Sequence, residues 1–494
     1  MRILIDTNIL IPLEDTAGIL SSAYAELTRI SREQNHQIIV HQGSLEDLSR
    51  DKNDDRKQIL LSKANKYPIL ESPPIPDDQD ILTLGLTNNS DNDRIDNLIL
   101  FSIYKHAAHL LITEDRRIHA KAKRLGIADR VHYGQQALNF LKDLHRVIEV
   151  KLPDVSHVPL HNIDYQQPFF DSLRTNYPEF DDWYREKSAE GRKAWSVTDD
   201  GGSLAALLIY KDERNEHVTD DTTLDGKSLK LCTFKVGEYF RGRKVGELLI
   251  KMAFEHGFKN GYRHIYVTIR PGIHDHLKDL VEEFGFMNIG MCRRQRDAVY
   301  VKSIPESVPP IDSDSPFNFY KKYNPFFVCQ NVSKYIIPIQ PSFHNMLFPE
   351  FQMKRQLSLF NETSSVGNTM KKAYLCHAQL KNMSVGDLIL FYRSKDLKSV
   401  TTIGIVERFE SLQEPDEIST LVSKRTVYSR DQIESLCQKE VRTILFRQIA
   451  HFDDIIDMSL LNGIGIHGKI QSIRTIDDRQ FTEIIRHSGI TTCA

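Results

Sequence analysis

A chain of 494 residues is too long for one hydrophobic core and divides into about three domains at roughly 100 to 200 residues each. Apolar residues make up 40% and charged residues 27%, and no apolar run approaches the roughly 18 residues of a membrane-crossing helix, so no membrane segment is expected. The formal net charge of -3 excludes a protein that coats nucleic acid by bulk charge, while leaving room for a local basic face.

Residues 2–5 are an apolar run that predicts a buried strand, with Asp6, Thr7 and Asn8 at its carboxyl end and a helical pattern from near Ala17. The opening MRILIDTNIL lacks the zones of a signal peptide, so a cytoplasmic location is expected. A second strand, Gln37 to Val40, leads into Ser44-Leu45-Glu46-Asp47-Leu48, a helix start with acids in its first turn. Asp93, just before RIDNLILFSIYKHA, and Asp96 within it lie three apart on one predicted helix and share one face. Leu110 to Thr113 reads as a strand ending at Glu114-Asp115, before the basic helix RRIHAKAKRLG. The polar stretch 49–90 is either a solvated face or a clamp for RNA or a neighbouring domain.

Strands alternating with helices predict a parallel sheet whose carboxyl edge gathers Asp6, Asp47, Asp96 and Asp115. Carboxylates crowded in this way repel one another unless a hard divalent cation, Mg2+ or Mn2+, neutralises them. Such ions polarise a water for attack on a phosphodiester. With MRILIDTN at its head, DNLILFS on its acidic helix and LITEDRRIHAKA at its close, residues 1–145 resemble the PIN-domain nucleases. The resemblance implies Asp6, Asp96 and Asp115 as metal ligands, with Thr7, Asn8 and Thr113 shaping the pocket. Asp47 is the second acid, with Glu46 its competitor, and Asp93 an outer ligand. It also implies an endoribonuclease of the toxin or defence type, a neutralising antitoxin protein covering the pocket, and a homodimer.

Loop-like composition near 148–160 marks a linker. SLAALLIY at 203–210 and the alternation from Leu229 to Val236 then predict strands of an antiparallel sheet. Beyond Val236 come Gly237 and Glu238, then Arg241, Gly242, Arg243, Lys244, Val245, Gly246 and Glu247, opening a helix that runs to about Asn260. Glycines at a strand-to-helix turn let backbone N–H groups approach a pyrophosphate at the positive helix end. A strand at 264–269 and a helix ending in Glu283-Phe284-Gly285-Phe286 follow, an order that resembles the GNAT acetyltransferases across 150–303. The family's R/Q-x-x-G-x-G pattern is met at Arg241 and Gly246, with Lys244 in place of its middle glycine. The resemblance implies acetyl-CoA as cofactor. It also places the usual tyrosine acid at Val281, so the proton donor to the thiolate is absent. Glu238 is the candidate base for an amine, with Tyr239, Tyr266 and Cys232 in supporting roles.

The Pro-, Ser- and Asp-rich residues 304–319 read as a second linker. Short β-like runs at Tyr335 to Ile339, Ala373 to His377, Asp387 to Arg393 and Thr401 to Glu407 then predict a small β-barrel. Through SVGDLILFYRS and TTIGIVE, residues 320–494 resemble the PUA-like superfamily, its ASCH and EVE branches in particular. That implies binding of RNA or modified bases. Phe343, Phe348, Tyr374, Phe391 and Tyr392 would stack on a base, and Arg393, Lys395 and Lys398 would meet phosphate. GIGIHGK at 463–469 lacks Walker spacing and reads as a loop. The six cysteines are scattered without a CxxC pair, which suggests neither a zinc site nor a disulfide framework.

The expected molecule is thus a multidomain α/β protein with a parallel-sheet domain, a mixed-sheet domain and a barrel. Three functions are in play, and the ordered acids put the first ahead. It is a metal-dependent endoribonuclease acting on RNA, tRNA included. The second is an N-acetyltransferase acting on an aminoacyl-tRNA or a protein, with the other domains presenting RNA. The third is a non-catalytic RNA-binding regulator.

Overall fold

The computed structural model describes residues 1–14, 22–50, 53–86, 90–145, 155–199, 202–237, 240, 244–272, 275–292, 297–311, 315–353, 369–380, 383–422 and 425–493. They fall into two compact units. The first comprises Met1–Ile148 with Leu412–Val441, and the second Glu149–Ser411 with Arg442–Ala494.

In the first unit, β1 (Arg2–Ile5), β2 (Gln37–Val40), β3 (Leu110–Ile112) and β4 (Val131–His132) form a parallel sheet in the order β2-β1-β3-β4. Buried Ile and Leu on both faces of β1 and β3 match a sheet covered on both sides, and Ile95, Ile99 and Ile103 on the helix Asp91–Tyr104 pack in that core. The first helix starts at Thr7 rather than near Ala17, which lies outside the described residues. Ile9 and Leu10 N–H already bond to the Asp6 carbonyl, so the chain turns helical directly at the strand end. Within 49–90 lie two helices, Asp54–Ala64 and Asp78–Leu84.

The second unit holds two sheets. In one, β5 (Val155–Pro159), β6 (Lys193–Thr198), β7 (Leu204–His217), β8 (Thr223–Val236), β9 (His264–Ile269), β10 (Met287–Met291) and β11 (Ala298–Ser303) take the order β10-β11-β9-β8-β7-β6-β5. Its pairs are antiparallel except β8 with β9. In the other, β12 (Lys334–Ile339), β13 (Lys371–Cys376), β14 (Leu388–Arg393), β15 (Ser399–Leu412), β16 (Val441–Asp457) and β17 (Arg474–Ile476) follow the order β13-β16-β15-β14-β12-β17. This sheet is mixed, and among the described residues no pairing joins β13 to β17, so the expected barrel is an open sheet.

Both predicted linkers contain folded structure. Residues 155–159 pair with β6 as an edge strand, and Ile304 is buried in the core beneath β9 and β11. Pro316 begins the helix Pro316–Tyr323 behind a Ser315 cap, with Phe319 fully buried. Proline is a breaker inside a helix but a starter at its first position, and composition alone does not separate the two. Cys329 and Cys493 form a disulfide, which their separation of 164 residues hides in the sequence. Among the described residues no helix is long and apolar enough to cross a membrane.

Candidate functional site

The seven-stranded sheet opens at one place. β8 and β9 pair from Ser228–His264 to Leu231–Val267, then β8 runs on to Val236 and β9 to Ile269 without pairing. A bulge prepares the divergence: Ile209 faces Thr233 and Tyr210 faces Leu231, leaving Cys232 as the extra residue on β8. The result is a wedge with unpaired backbone along both walls, suited to an extended ligand that hydrogen-bonds like a strand.

The helix Val245–Lys259 starts where β8 ends. Lys244, in the left-handed region at φ 60°, occupies its N-cap without a side-chain cap, so the first turn keeps the positive end suited to a pyrophosphate. A Cβ at Gly246 would lie 3.1 Å from Leu280 Cδ2, so glycine lets the helix pack close there. Glu247 is not turned to a ligand: it is 2% exposed, and its carboxylate accepts hydrogen bonds from Lys244 Nζ and Thr369 Oγ1. Burial pushes its carboxyl up, but Lys244 and Lys371 outweigh this and hold it at about 2. One turn on, Lys251 Nζ bonds Glu350 at 3.0 Å.

Val281 sits in the core, so that position offers no proton donor. The Tyr266 hydroxyl donates to Glu213, and burial with that bond raises its phenol far above the ordinary value. The Cys232 thiol is pushed up by burial and lies 3.6 Å from an Arg192 Nη1 donor. Glu238, Tyr239, Arg241, Gly242 and Arg243 lie outside the described residues, while Val236 and Val245 border the wedge at the strand end and helix start. Sequence reasoning passed over Arg270, Asp297 and Tyr177. Arg270 ends the β9 wall with its Nε 3.3 Å from Asp297 Oδ1 and its guanidinium 5.7 Å from the Tyr177 ring centre. Only the β9–β11 register brings the first two together, because Ile269 faces Ala298.

A second constellation stands at the carboxyl edge of the parallel sheet. Asp6 accepts hydrogen bonds from Thr7 N at 2.7 Å, Asn8 Nδ2 at 2.7 Å and Thr113 Oγ1 at 2.6 Å. Asp96 is 8% exposed, and its Oδ2 is buried without a hydrogen-bond partner, the Arg117 guanidinium standing 3.6 Å away. Burial first, then the Asp6 and Asp115 carboxylates, push its carboxyl to about 7. Asp115 caps the next helix through Arg117 N and Ile118 N. Burial raises its carboxyl, but the bonds and charge of Arg117 outweigh this and bring it below the usual value. Asp47, raised by burial, meets Thr7 Oγ1 at 3.4 Å, whereas Glu46 pairs with Arg94 at 2.8 Å and Asp93 with Lys121 at 3.4 Å.

Among the described residues no three donors close on a point that a metal ion could occupy. The chemistry of the donors still fits a hard cation. An orphaned carboxylate oxygen and mutual repulsion are what such an ion would relieve, and Arg117, 61% exposed, supplies the nearby positive charge.

In the open sheet, Phe348 and Phe391 are fully buried and Tyr392 is 4% exposed, so these three are core rather than a stacking platform. The Tyr374 hydroxyl is bound to the Pro338 carbonyl, Arg393 is paired with Asp396, and Lys395 reaches Gln340 at 3.3 Å. Phe343 is half-buried, and Lys398 lies in the turn between β14 and β15 at φ 47°.

Residues 158–286 match the family model described as the acetyltransferase (GNAT) family. They form a GNAT acetyltransferase domain. Similar solved structures include aminoglycoside 6'-acetyltransferase type Ii, 20% identical, covering 31% of this chain and 99% of its own with a TM-score of 0.25. NAA60 of Arabidopsis thaliana, solved with acetyl-CoA, is 15% identical over 31% of this chain and 100% of its own, at 0.24. The ASCH protein of Zymomonas mobilis is 12% identical over 33% of this chain and 98% of its own, at 0.25. No curated protein matches the chain.

Proposed function

We propose that the protein is an acetyl-CoA-dependent N-acetyltransferase acting on an amine carried by RNA or protein, an aminoacyl-tRNA among the candidates. The wedge between β8 and β9 carries this reading, because its β8 wall, at Phe234 and Val236, lies beside the uncapped helix start at Gly246 inside the residues matched by the GNAT model. The pantetheine arm would lie in the wedge and the pyrophosphate at Lys244 to Gly246, and acetyl-CoA supplies the activated acyl group. With Val281 in the core, the leaving thiolate takes its proton from elsewhere, and Glu238 is the candidate base for the amine. The test is direct binding of acetyl-CoA and transfer of labelled acetyl to tRNA or protein, comparing the natural chain with Gly246→Val. The added side chain crowds Leu280 and should weaken acetyl-CoA binding by about tenfold or more. Unchanged binding, or no binding by the natural chain, refutes the reading.

The acids of the first unit favour a second activity, the nuclease that their order in sequence puts first. Its carrying observation is Asp96, orphaned and raised to about 7 beside Asp6 and Asp115. Mg2+ or Mn2+ would have to draw Asp6, Asp96 and Asp115 together, since they do not close on one point without it, with Asp47 and Thr7 at the rim, and would polarise a water for phosphodiester cleavage. Metal-dependent cutting of labelled RNA that is lost in both Asp6→Asn and Asp115→Asn is the expected result. A neutralising protein and a homodimer belong to this second reading. Absence of both cleavage and acetyl transfer would leave the RNA-binding regulator.

A further inference from the structure

The open end of the wedge is built around a guanidinium. Arg270 follows Ile269, the last residue of β9, beyond the point where β8 and β9 cease to pair. Asp297, which precedes β11, lies across from it in the antiparallel register and takes its Nε at 3.3 Å. The guanidinium carbon lies over the ring of Tyr177, 5.7 Å from its centre. One helical segment ties both walls together. Its first part holds the β8 wall through Lys235 Nζ, which bonds the Phe169 carbonyl and Ser172 Oγ, and its end supplies Tyr177 to the β9 wall. The guanidinium is therefore held through Nε, with an aromatic ring beside it. It is 42% exposed, and its terminal nitrogens make no hydrogen bond among the described residues.

A planar guanidinium oriented in this way, with its two-nitrogen edge open, is the geometry that binds a carboxylate or phosphate bidentately. The position matters as much as the chemistry. A thioester entering the wedge from the helix start would hold its acyl group between the unpaired stretches Cys232–Val236 and Thr268–Ile269, and Arg270 directly follows the second of these, so an acceptor meeting the acyl group there comes beside the guanidinium. We propose that Arg270 is an acceptor-binding residue and that the acetylated amine belongs to a substrate with a carboxylate or phosphate close to its amino group. The inference rests on the acetyltransferase reading and narrows its substrate class. Asp297 is a positioning residue that orients the guanidinium, and Tyr177 supports its face.

The test uses the full chain saturated with CoA, so that the helix-start site is filled, titrated by calorimetry with inorganic phosphate and separately with acetate. At least one anion should bind, and Arg270→Gln should weaken it by about tenfold or more, with Arg270→Lys falling between. CoA affinity should stay within about twofold in both variants, which also reports that the domain is folded. Which anion binds tells a phosphate-bearing substrate from a carboxylate-bearing one. Equal anion binding in Arg270→Gln, or none by the natural chain, overturns the proposal. If CoA itself does not bind, the acetyltransferase reading fails on its own account, and the same titrations of the CoA-free chain still decide whether Arg270 is an anion site.

Discussion

Asp96 holds the strongest electrostatic conflict of the first unit. Its ordinary pKa of 3.8 rises to about 7 through burial and the neighbouring Asp6 and Asp115, so the folded chain keeps a proton that the unfolded chain releases. This group therefore favours the fold fully below about pH 3.8 and loses that contribution as the pH climbs through 7. Asp96→Asn removes the ionisable group while keeping the shape. It should stabilise the first unit by roughly 1–2 kcal/mol at pH 8 after allowance for solvent screening, and by almost nothing near pH 4. Denaturant unfolding at the two pH values decides the matter. A bound cation relieves the same repulsion, so Mn2+ should raise the melting temperature of the natural chain more at pH 8 than at pH 5. In Asp96→Asn the Mn2+ effect should be much reduced. Equal Mn2+ effects in both chains would place metal binding away from these acids.

Among the elements, the contact between Gly285 and the helix Pro316–Tyr323 is the least forgiving. Gly285 has φ 84°, and a Cβ there would run into the Lys321 carbonyl, which also accepts a hydrogen bond from Lys302 Nζ at 2.6 Å. Gly272 has a similar φ of 79° with open space around it. Gly285→Ala should cost roughly 3 kcal/mol or more, because steric overlap with a backbone adds to the conformational penalty, while Gly272→Ala should cost about 1 kcal/mol. Comparing the two by denaturant unfolding separates packing from backbone strain. This contact also shows where sequence legibility ends. Most strands could be read in place, because runs such as Arg2–Ile5 and Leu388–Arg393 are apolar enough to require burial. Residues 304–319 read as a linker because their prolines and serines look the same there as in a capped helix start, such as the one at Ser315 and Pro316. Whether the last sheet closes, and which strand brings Asp297 to Arg270, depend on long-range register, which no local pattern encodes. Asp6 follows a strand and Asp115 caps a helix, positions that a local pattern marks, whereas Asp47 lies in the last turn of its helix and the hold of Arg117 on Asp115 has no local signal.

At the scale of the whole molecule, the chain is not folded strictly in sequence order. Residues 412–441 leave the last sheet between β15 and β16 and fold with the first unit as the helices Pro415–Val422 and Arg430–Leu436. Ile418, Val422 and Ile433 are fully buried there, and Asp416 links Arg430 at 2.5 Å to His109 at 3.5 Å. Pro415–Val422 packs beside the short turn Ala128–Arg130, so this excursion takes part in the packing of the first unit. Burying three such side chains is worth several kcal/mol, at about 1.5–3 kcal/mol each. A fragment cut at residue 145, where the sequence places the boundary, should therefore melt well below the first transition of the full chain. Adding a peptide of residues 412–441 should bind that fragment and restore part of the loss, and Asp416→Ala in the peptide should weaken the rescue. If the fragment instead melts at the temperature of the full chain, the excursion contributes nothing to the first fold. Its contacts would then be a consequence of being tethered, since a short tether enforces proximity without requiring favourable contact energy.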